Sequence, residues 1–152
     1  CLAGCGFQLR GNDAASSSAK LEGMTLQVIS SQPRSELTRE VSRALTAAGL
    51  VLSEDSDTML MLVLQPEQFT QRNVSLTAQA RAAELELTLI ADFTLNHQES
   101  DPIDARATVT RQMLNDPRNV VGKTEEIRLL REEMRRDLAD QVARRISHSL
   151  GN

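Results

Sequence analysis

A stretch of strict apolar–polar alternation in the second half of the chain constrains the fold more than any other feature. From Ala83 to Leu95 every odd position is apolar, and the even positions are polar except for Ile90. A period of two is typical of a strand buried on one face, and at ~3.3 Å per residue this strand is about 40 Å long. The polar segment 96–102 leads into residues 103–113, which alternate in the same way. The pattern predicts a long antiparallel hairpin with one apolar and one polar face.

The remaining segments predict a short strand, a helix, an interrupted strand and a long helix. Residues 24–28 alternate between apolar and polar side chains, and residues 35–49 repeat apolar positions at helical spacing after a serine N-cap. Residues 58–72 begin with an apolar run suited to a central strand, and Pro66 predicts a bend or bulge within it. Residues 124–150 carry one apolar stripe at helical spacing, which indicates a helix.

This element order, β-α-β-β-β-α, predicts an α+β fold. From this order we expect a two-layer sandwich in which two helices pack on one face of a four-stranded sheet. The other sheet face then stays polar and uncovered. A chain of 152 residues suits one domain, which we place at residues 20–152.

The start of the chain carries a processing signal. Leu2-Ala3-Gly4-Cys5 has the aliphatic–small–small–Cys pattern that a bacterial lipoprotein signal peptidase cuts before the cysteine. We therefore expect residues 1–4 to be a signal-peptide remnant and Cys5 to be an acylated N-terminus. Residues 5–19, which include a Gly- and Ser-rich stretch, are then a flexible tether. The alternatives are a chance match, and a pairing of Cys1 with Cys5 in a disulfide or half of a metal site.

The composition argues against two classes of partner contact. The net charge is -4, the aromatic residues are three Phe with no Trp or Tyr, and no long basic run is present, so we expect no nucleic-acid partner. No segment approaches the ~20 apolar residues that a membrane-spanning helix needs, which leaves the acyl chains as the expected membrane contact.

The sequence contains no pattern typical of an enzyme. It lacks a G-x-S-x-G elbow, a phosphate-binding Gly loop and an H-E-x-x-H motif. Glu84 and Glu86 lie ~7 Å apart on one predicted strand face, which is close enough for an acid–base pair. We expect a solvated strand face instead, because nothing nearby would raise the pKa of one carboxyl above the other. We therefore predict no catalytic residue, no cofactor and no metal.

Six basic residues fall on or beside the predicted hairpin and its flanking loops, and a local cluster of them could hold phosphates despite the acidic total. Two of the six, Arg81 and Lys123, stand at a strand entrance and a helix entrance, where chain segments converge. The alternative is scattered solubilising charge. The six are Arg72, Arg81, Arg106, Arg111, Arg118 and Lys123.

Several segments resemble one known family, the lipopolysaccharide-assembly lipoproteins called LptE. The resemblance covers nearly the whole domain and is most specific at the residues that begin with Cys5. The segments are Cys5-Gly6-Phe7-Gln8-Leu9-Arg10, Met24–Val28, Leu37–Val41, Ala105–Arg111, Asn115-Asp116-Pro117 and Lys123.

The resemblance implies a non-enzymatic outer-membrane lipoprotein on the periplasmic side, anchored by lipid at Cys5. It implies that the protein plugs and helps assemble the LptD β-barrel, one copy in each lumen, and binds lipopolysaccharide during transport to the cell surface. Lys123 matches a basic position linked to lipopolysaccharide contact in the family, and Arg81 lies near a second one. The alternative is a lipid-anchored scaffold or activator of another envelope partner, such as a cell-wall synthase, because fold alone does not fix function.

Overall fold

The computed structural model describes residues 21–76, 82–116 and 118–151, and shows two helices and one mixed sheet. In chain order the elements are β1 (Thr25–Ser30), α1 (Glu36–Ala47), β2 (Val51–Leu52), β3 (Leu60–Leu64), β4 (Gln68–Leu76), β5 (Ala82–His97), β6 (Ser100–Leu114) and α2 (Val120–Gly151). The α+β class is confirmed. The four-stranded count is wrong, because the described residues form six strands in one sheet.

The long strand β5 organises the sheet. Strand β6 pairs with it along one edge, from Glu84 opposite Leu114 to His97 opposite Ser100. Strands β3 and β4 follow one another along its other edge, both antiparallel to it. Strand β1 lies parallel to β3, and the two-residue strand β2 lies parallel to β1. Sequence reasoning missed β2 because two residues carry no periodicity.

The predicted bend at Pro66 separates β3 from β4 and accounts for one of the extra strands. Leu64 lies opposite Phe93 and Gln68 lies opposite Ile90, so the β3–β4 side has one residue more than β5 between these pairs. The backbone N–H of Gln65 still donates to the Asp92 carbonyl at 2.9 Å. The predicted single strand is therefore two strands joined by a bulge.

Both helices and the odd-numbered side chains of β5 form one apolar core. Helix α1 starts where predicted: the Ser35 hydroxyl accepts from the Thr38 backbone N–H at 3.2 Å, as an N-cap does. The core contains six consecutive odd positions of β5 together with side chains from β1, β3, β6, α1 and α2. The six are Leu85, Leu87, Leu89, Ala91, Phe93 and Leu95, each at most 5 % exposed.

Strand β6 begins earlier than predicted and forms an edge of the sheet. The predicted turn 96–102 shrinks to Gln98 and Glu99, so Pro102 lies inside the strand. Proline lacks a backbone N–H, which an edge strand tolerates on its unpaired side. Further along this outer side, the Gln141 side-chain amide of α2 donates to the Thr108 carbonyl at 3.2 Å.

Helix α2 starts at Val120, four residues before the predicted start. The Asn119 side-chain oxygen accepts from the Gly122 backbone N–H at 3.0 Å and caps the first turn. Gly122 is suited to this position because a Cβ there would lie 2.3 Å from the Asn119 side chain. The pair Asn119 and Gly122 is the start signal that the apolar pattern alone does not contain.

Candidate functional site

The face of the sheet opposite the helices is the first candidate surface. It is formed by the even-numbered side chains of β5 and their neighbours in β4 and β6. At its centre Thr70, Thr88 and Thr110 lie side by side across three strands. This face, here called the open face, is polar along β4, β5 and β6, as predicted.

Ion pairs cross the open face between neighbouring strands. Arg72 Nε of β4 lies 2.6 Å from Glu86 Oε1 of β5, and Arg106 Nε of β6 lies 2.6 Å from Asp92 Oδ1 of β5. The second Arg106 nitrogen, Nη2, lies 3.0 Å from Asp92 Oδ2, so this pair is bidentate. The hydrogen bond from Arg106 lowers the pKa of Asp92. The open face therefore carries many polar groups whose charges compensate one another.

The two carboxyls weighed as an acid–base pair lie on this face in unequal surroundings. The hydrogen bond from Arg72 lowers the pKa of Glu86, so that carboxyl stays ionised near neutral pH. An ionised carboxylate of low pKa is a poor general acid. Glu84 lies opposite Leu114 at the start of the β5–β6 pairing. The arrangement favours a binding face over a catalytic pair.

Beside β1 and β3 the open face includes apolar side chains among polar ones. Ile29 lies opposite Val63, and Val63 lies opposite Thr94. Ile29 is a large apolar side chain that is 38% exposed. On the same face Gln27 lies opposite Met61, so this part of the open face is mixed.

The basic residues singled out from the sequence do not form one patch. Four of them lie against carboxylates: Arg72 on Glu86, Arg106 on Asp92, Arg111 on Asp137 and Arg118 on Asp116. Arg106 and Arg111 point to opposite faces of β6, since one contacts β5 across the open face and the other contacts α2. Within the described ranges Lys123 forms no ion pair. Its ammonium Nζ instead donates to the neutral Asn115 Oδ1 at 2.6 Å.

Lys123 is held at the junction of β6 and α2. Its backbone N–H donates to the Asn119 carbonyl at 3.0 Å, which places it in the first turn of the helix. Its side chain is partly buried and reaches back to Asn115, directly after the end of β6. Arg81 and Cys5 lie outside the described residues. Ala82, which follows Arg81, begins β5 at the same end of the sheet, because Glu84 pairs with Leu114.

Sequence reasoning missed a second polar cluster, centred on Glu67 in the bulge between β3 and β4. Glu67 Oε2 accepts from Arg135 Nε at 2.7 Å, and Glu67 Oε1 accepts from Arg131 Nε at 3.1 Å. Arg135 also pairs with Glu36 at the start of α1, and the Arg131 guanidinium lies 4.5 Å from the centre of the Phe69 ring. Burial alone would raise the pKa of Glu67, but the hydrogen bonds from the two arginines outweigh it and lower that pKa. The cluster ties the bulge to both helices.

Two absences among the described residues bear on membrane and metal binding. None of their helices is long and apolar enough to cross a membrane. No three His, Cys, Asp or Glu side chains in these ranges come together as a potential metal site.

The fold and its surfaces define a class: two-layer α+β domains that bury one sheet face under two helices and present the other to their surroundings. Within this class the chain belongs to the LptE lipopolysaccharide-assembly family, whose model matches residues 23–146. The predicted family resemblance is therefore confirmed.

Relatives and solved structures agree with this assignment. The LPS-assembly lipoprotein LptE of Photorhabdus laumondii is 30% identical over 149 residues, which cover 97% of this chain and 78% of that protein. The protein of the same name from Pectobacterium atrosepticum is 30% identical over 147 residues, covering 95% and 77%. The crystal structure of the rare lipoprotein B from Shewanella oneidensis superposes with a TM-score of 0.76 at 26% identity, covering 82% of this chain and 95% of that one.

Proposed function

We propose that this protein is a non-enzymatic outer-membrane lipoprotein that plugs the LptD β-barrel, helps it assemble and binds lipopolysaccharide on its way to the cell surface. Membership of the lipopolysaccharide-assembly family supports the lipopolysaccharide part of the proposal. The names of the similar proteins, LPS-assembly lipoprotein LptE, support the lipoprotein part.

The open face carries the plug proposal. The lumen of a large membrane β-barrel is polar, so a domain that fills it needs hydrogen-bonding groups rather than an apolar patch. The row Thr70, Thr88 and Thr110 offers hydroxyls across three strands. The neighbouring pair of Arg106 and Asp92 offers charged groups that are already compensated, which limits the cost of enclosing them.

The lipid anchor remains part of the proposal. Acylation at Cys5, with residues 1–4 removed and residues 5–19 as a tether, would hold the domain at the periplasmic side of the outer membrane. Mass spectrometry of the native N-terminus tests it, and an unacylated chain that still begins at Cys1 would contradict it.

Co-purification tests the plug. The processed protein, extracted from the outer membrane in detergent, should elute with a large β-barrel protein in a 1:1 ratio. Recovery of a free monomer, or of a complex with a cell-wall synthase, would contradict the plug; the second result would support the scaffold alternative.

Lys123 is the proposed lipopolysaccharide contact for which the structure gives a physical reason, since no ion pair in the described ranges compensates its charge. Arg81 is proposed as the second contact, from the family resemblance. Lys123→Glu should weaken lipopolysaccharide binding about tenfold, because a hydrogen bond to a charged group contributes about 1.5 kcal/mol. Titration of immobilised protein with lipopolysaccharide measures this.

The matched control is Arg34→Glu, the same charge reversal at an exposed position in the loop before α1. It should leave lipopolysaccharide affinity unchanged, and both variants should still co-purify with the barrel. Equal affinities of Lys123→Glu and the unmodified protein would support the interpretation of Lys123 as one of many solubilising charges.

A further inference from the structure

The most exposed large apolar side chains in the described residues lie close to Lys123 along the chain. Val121 is 85% exposed, Leu114 is 78% exposed and Val120 is 69% exposed, whereas the next most exposed side chains of this class reach 52%. All three lie between the end of β6 and the first turn of α2. Exposed apolar groups that cluster in this way mark a binding surface more often than scattered ones do.

The local contacts fix the segments that carry these side chains at the junction that also carries Lys123. The 2.6 Å hydrogen bond from Lys123 Nζ to Asn115 Oδ1 fixes the residue after Leu114 against the start of α2. The Asn119 cap fixes the turn that carries Val120 and Val121. We call the group formed by Leu114, Val120, Val121 and Lys123 the tip.

The tip combines a cation that has no ion pair within the described residues with water-exposed apolar groups, and none of its three apolar side chains contributes to the core. This combination matches an anionic amphiphile, whose charged group and hydrocarbon chains lie close together. A ligand that offered phosphate alone would leave the three apolar side chains in water. The exposed apolar surface therefore favours a lipid over a soluble anion, and the charge of Lys123 favours an anionic lipid.

We propose that the apolar side chains of the tip bind acyl chains of lipopolysaccharide while Lys123 binds a phosphate of the same molecule. This inference rests on the proposed function and adds to it the hydrocarbon part of the ligand. The tip then contacts both the phosphate and the hydrocarbon part of the ligand. Lipopolysaccharides with acyl chains therefore bind more tightly than deacylated ones.

The test compares two ligands on one pair of variants. The double variant Val120→Ser/Val121→Ser removes the apolar groups from exposed positions, so the fold is retained, which circular dichroism checks. Its affinity for intact lipopolysaccharide should fall at least about tenfold, because the two valines together lose four carbons and the burial of only two of them already accounts for that factor. Its affinity for the same lipopolysaccharide stripped of all acyl chains should not change. Lys123→Gln should weaken binding of both ligands.

The control is Leu129→Ser, an exposed apolar position further along the same helix. It should leave both affinities unchanged. The inference would be overturned if the double variant lost equal affinity for intact and deacylated lipopolysaccharide. It would also be overturned if the double variant lost no affinity for intact lipopolysaccharide. Vesicles of phosphatidylcholine and phosphatidylglycerol give a further comparison. An equal loss of vesicle binding would overturn the inference in favour of insertion into any bilayer.

The outcomes separate this inference from the proposed function. If the unmodified protein binds no lipopolysaccharide, the proposed function fails together with the inference. If it binds lipopolysaccharide and the double variant binds equally well, the inference alone fails.

Discussion

At the scale of single residues, Glu67 shows how a carboxylate far from both helices in sequence joins them in space. It accepts hydrogen bonds from Arg131 and Arg135, 64 and 68 positions further along the chain, and its side chain is 13% exposed. A carboxylate at that depth is stabilising only when it is paired, and Glu67 has two arginine partners. The bulge at Pro66 adds one residue between β3 and β4 and so shifts the alternation of β3. For this reason Glu67 points toward α2.

Glu67→Gln should lower the free energy of unfolding by about 2 kcal/mol at pH 7, because two charged hydrogen bonds become weaker neutral ones. The pKa of Glu67 is lowered in the folded state, from an ordinary value of 4.5. Its stabilisation is therefore complete above about pH 4.5 and is lost as the pH falls through the lower folded-state pKa. Urea unfolding at pH 7 and at successively lower pH values measures the difference between the two proteins.

The difference between Glu67→Gln and the unmodified protein should shrink as the pH falls below 4.5. A constant difference down to pH 3 would show that packing, not charge, carries the effect. Glu125→Gln is the matched control: this carboxylate pairs with Arg128 on the exposed side of α2, and its replacement should leave the urea midpoint nearly unchanged.

At the scale of elements, β5 has two faces with opposite roles. Leu87 is fully buried under the helices, and the adjacent Thr88 lies in the threonine row of the open face. Leu87→Ala should lower the free energy of unfolding by about 3 kcal/mol, since it leaves a cavity in the core. Thr88→Ala, one residue away, should cost less than about 1 kcal/mol. Thermal or urea unfolding of the two variants compares the faces directly.

The same two substitutions distinguish an effect on stability from an effect on assembly with the barrel. Thr88→Ala should weaken co-purification with the barrel more than its small effect on stability explains, if the open face is the lumen contact. Equal destabilisation by the two substitutions would mean that the faces of β5 are assigned wrongly.

How far the elements follow from the sequence depends on whether their signals are local. The alternation in β5 and β6 predicted the hairpin because each residue's face is set by its immediate neighbours. The serine N-cap at Ser35 and the break at Pro66 are local signals of the same kind. The start of α2 depends on the contact of Asn119 with Gly122, which the apolar periodicity does not show. The Glu67 cluster depends entirely on tertiary proximity, so no local pattern indicates it.

Part of the candidate site also follows from local signals in the sequence. The polar open face follows from the even positions of β5, and Lys123 was singled out from its place at a helix entrance. That Lys123 faces an amide while Arg111 and Arg118 face carboxylates is a property of the folded chain. The exposure of Val120 and Val121 was not foreseen, because the predicted helix began after them.

At the scale of the whole molecule, the domain has two distinct ends. The described chain begins at Leu21, and two residues later the Gly23 backbone N–H donates to the Gly49 carbonyl beside β2. This end also holds the β5–β6 turn, because Leu60 lies opposite His97. Lys123 lies at the other end, beyond the pairing of Glu84 with Leu114. The stretch of β5 between these positions spans about 40 Å. The chain therefore enters the domain far from the proposed ligand contact.

This separation predicts which positions meet lipopolysaccharide. A photoreactive amino acid at Val121, at the tip, should form an adduct with lipopolysaccharide in cells. The same group at Met59, an exposed apolar position at the opposite end, should not. Gel shifts detected with an antibody to lipopolysaccharide read out both variants, and adducts of equal yield would mean that the ligand has no preferred end.

The outer side of β6 bears on how the protein behaves before it meets a partner. A fifteen-residue strand at the edge of a sheet would ordinarily offer a second copy a row of free backbone groups to pair with. Here Pro102 supplies no N–H, and the Gln141 amide already occupies the Thr108 carbonyl. The Arg111 guanidinium occupies the carbonyl of Thr110 in the same row. The edge is therefore a poor template for pairing with a second copy, which favours a monomeric domain.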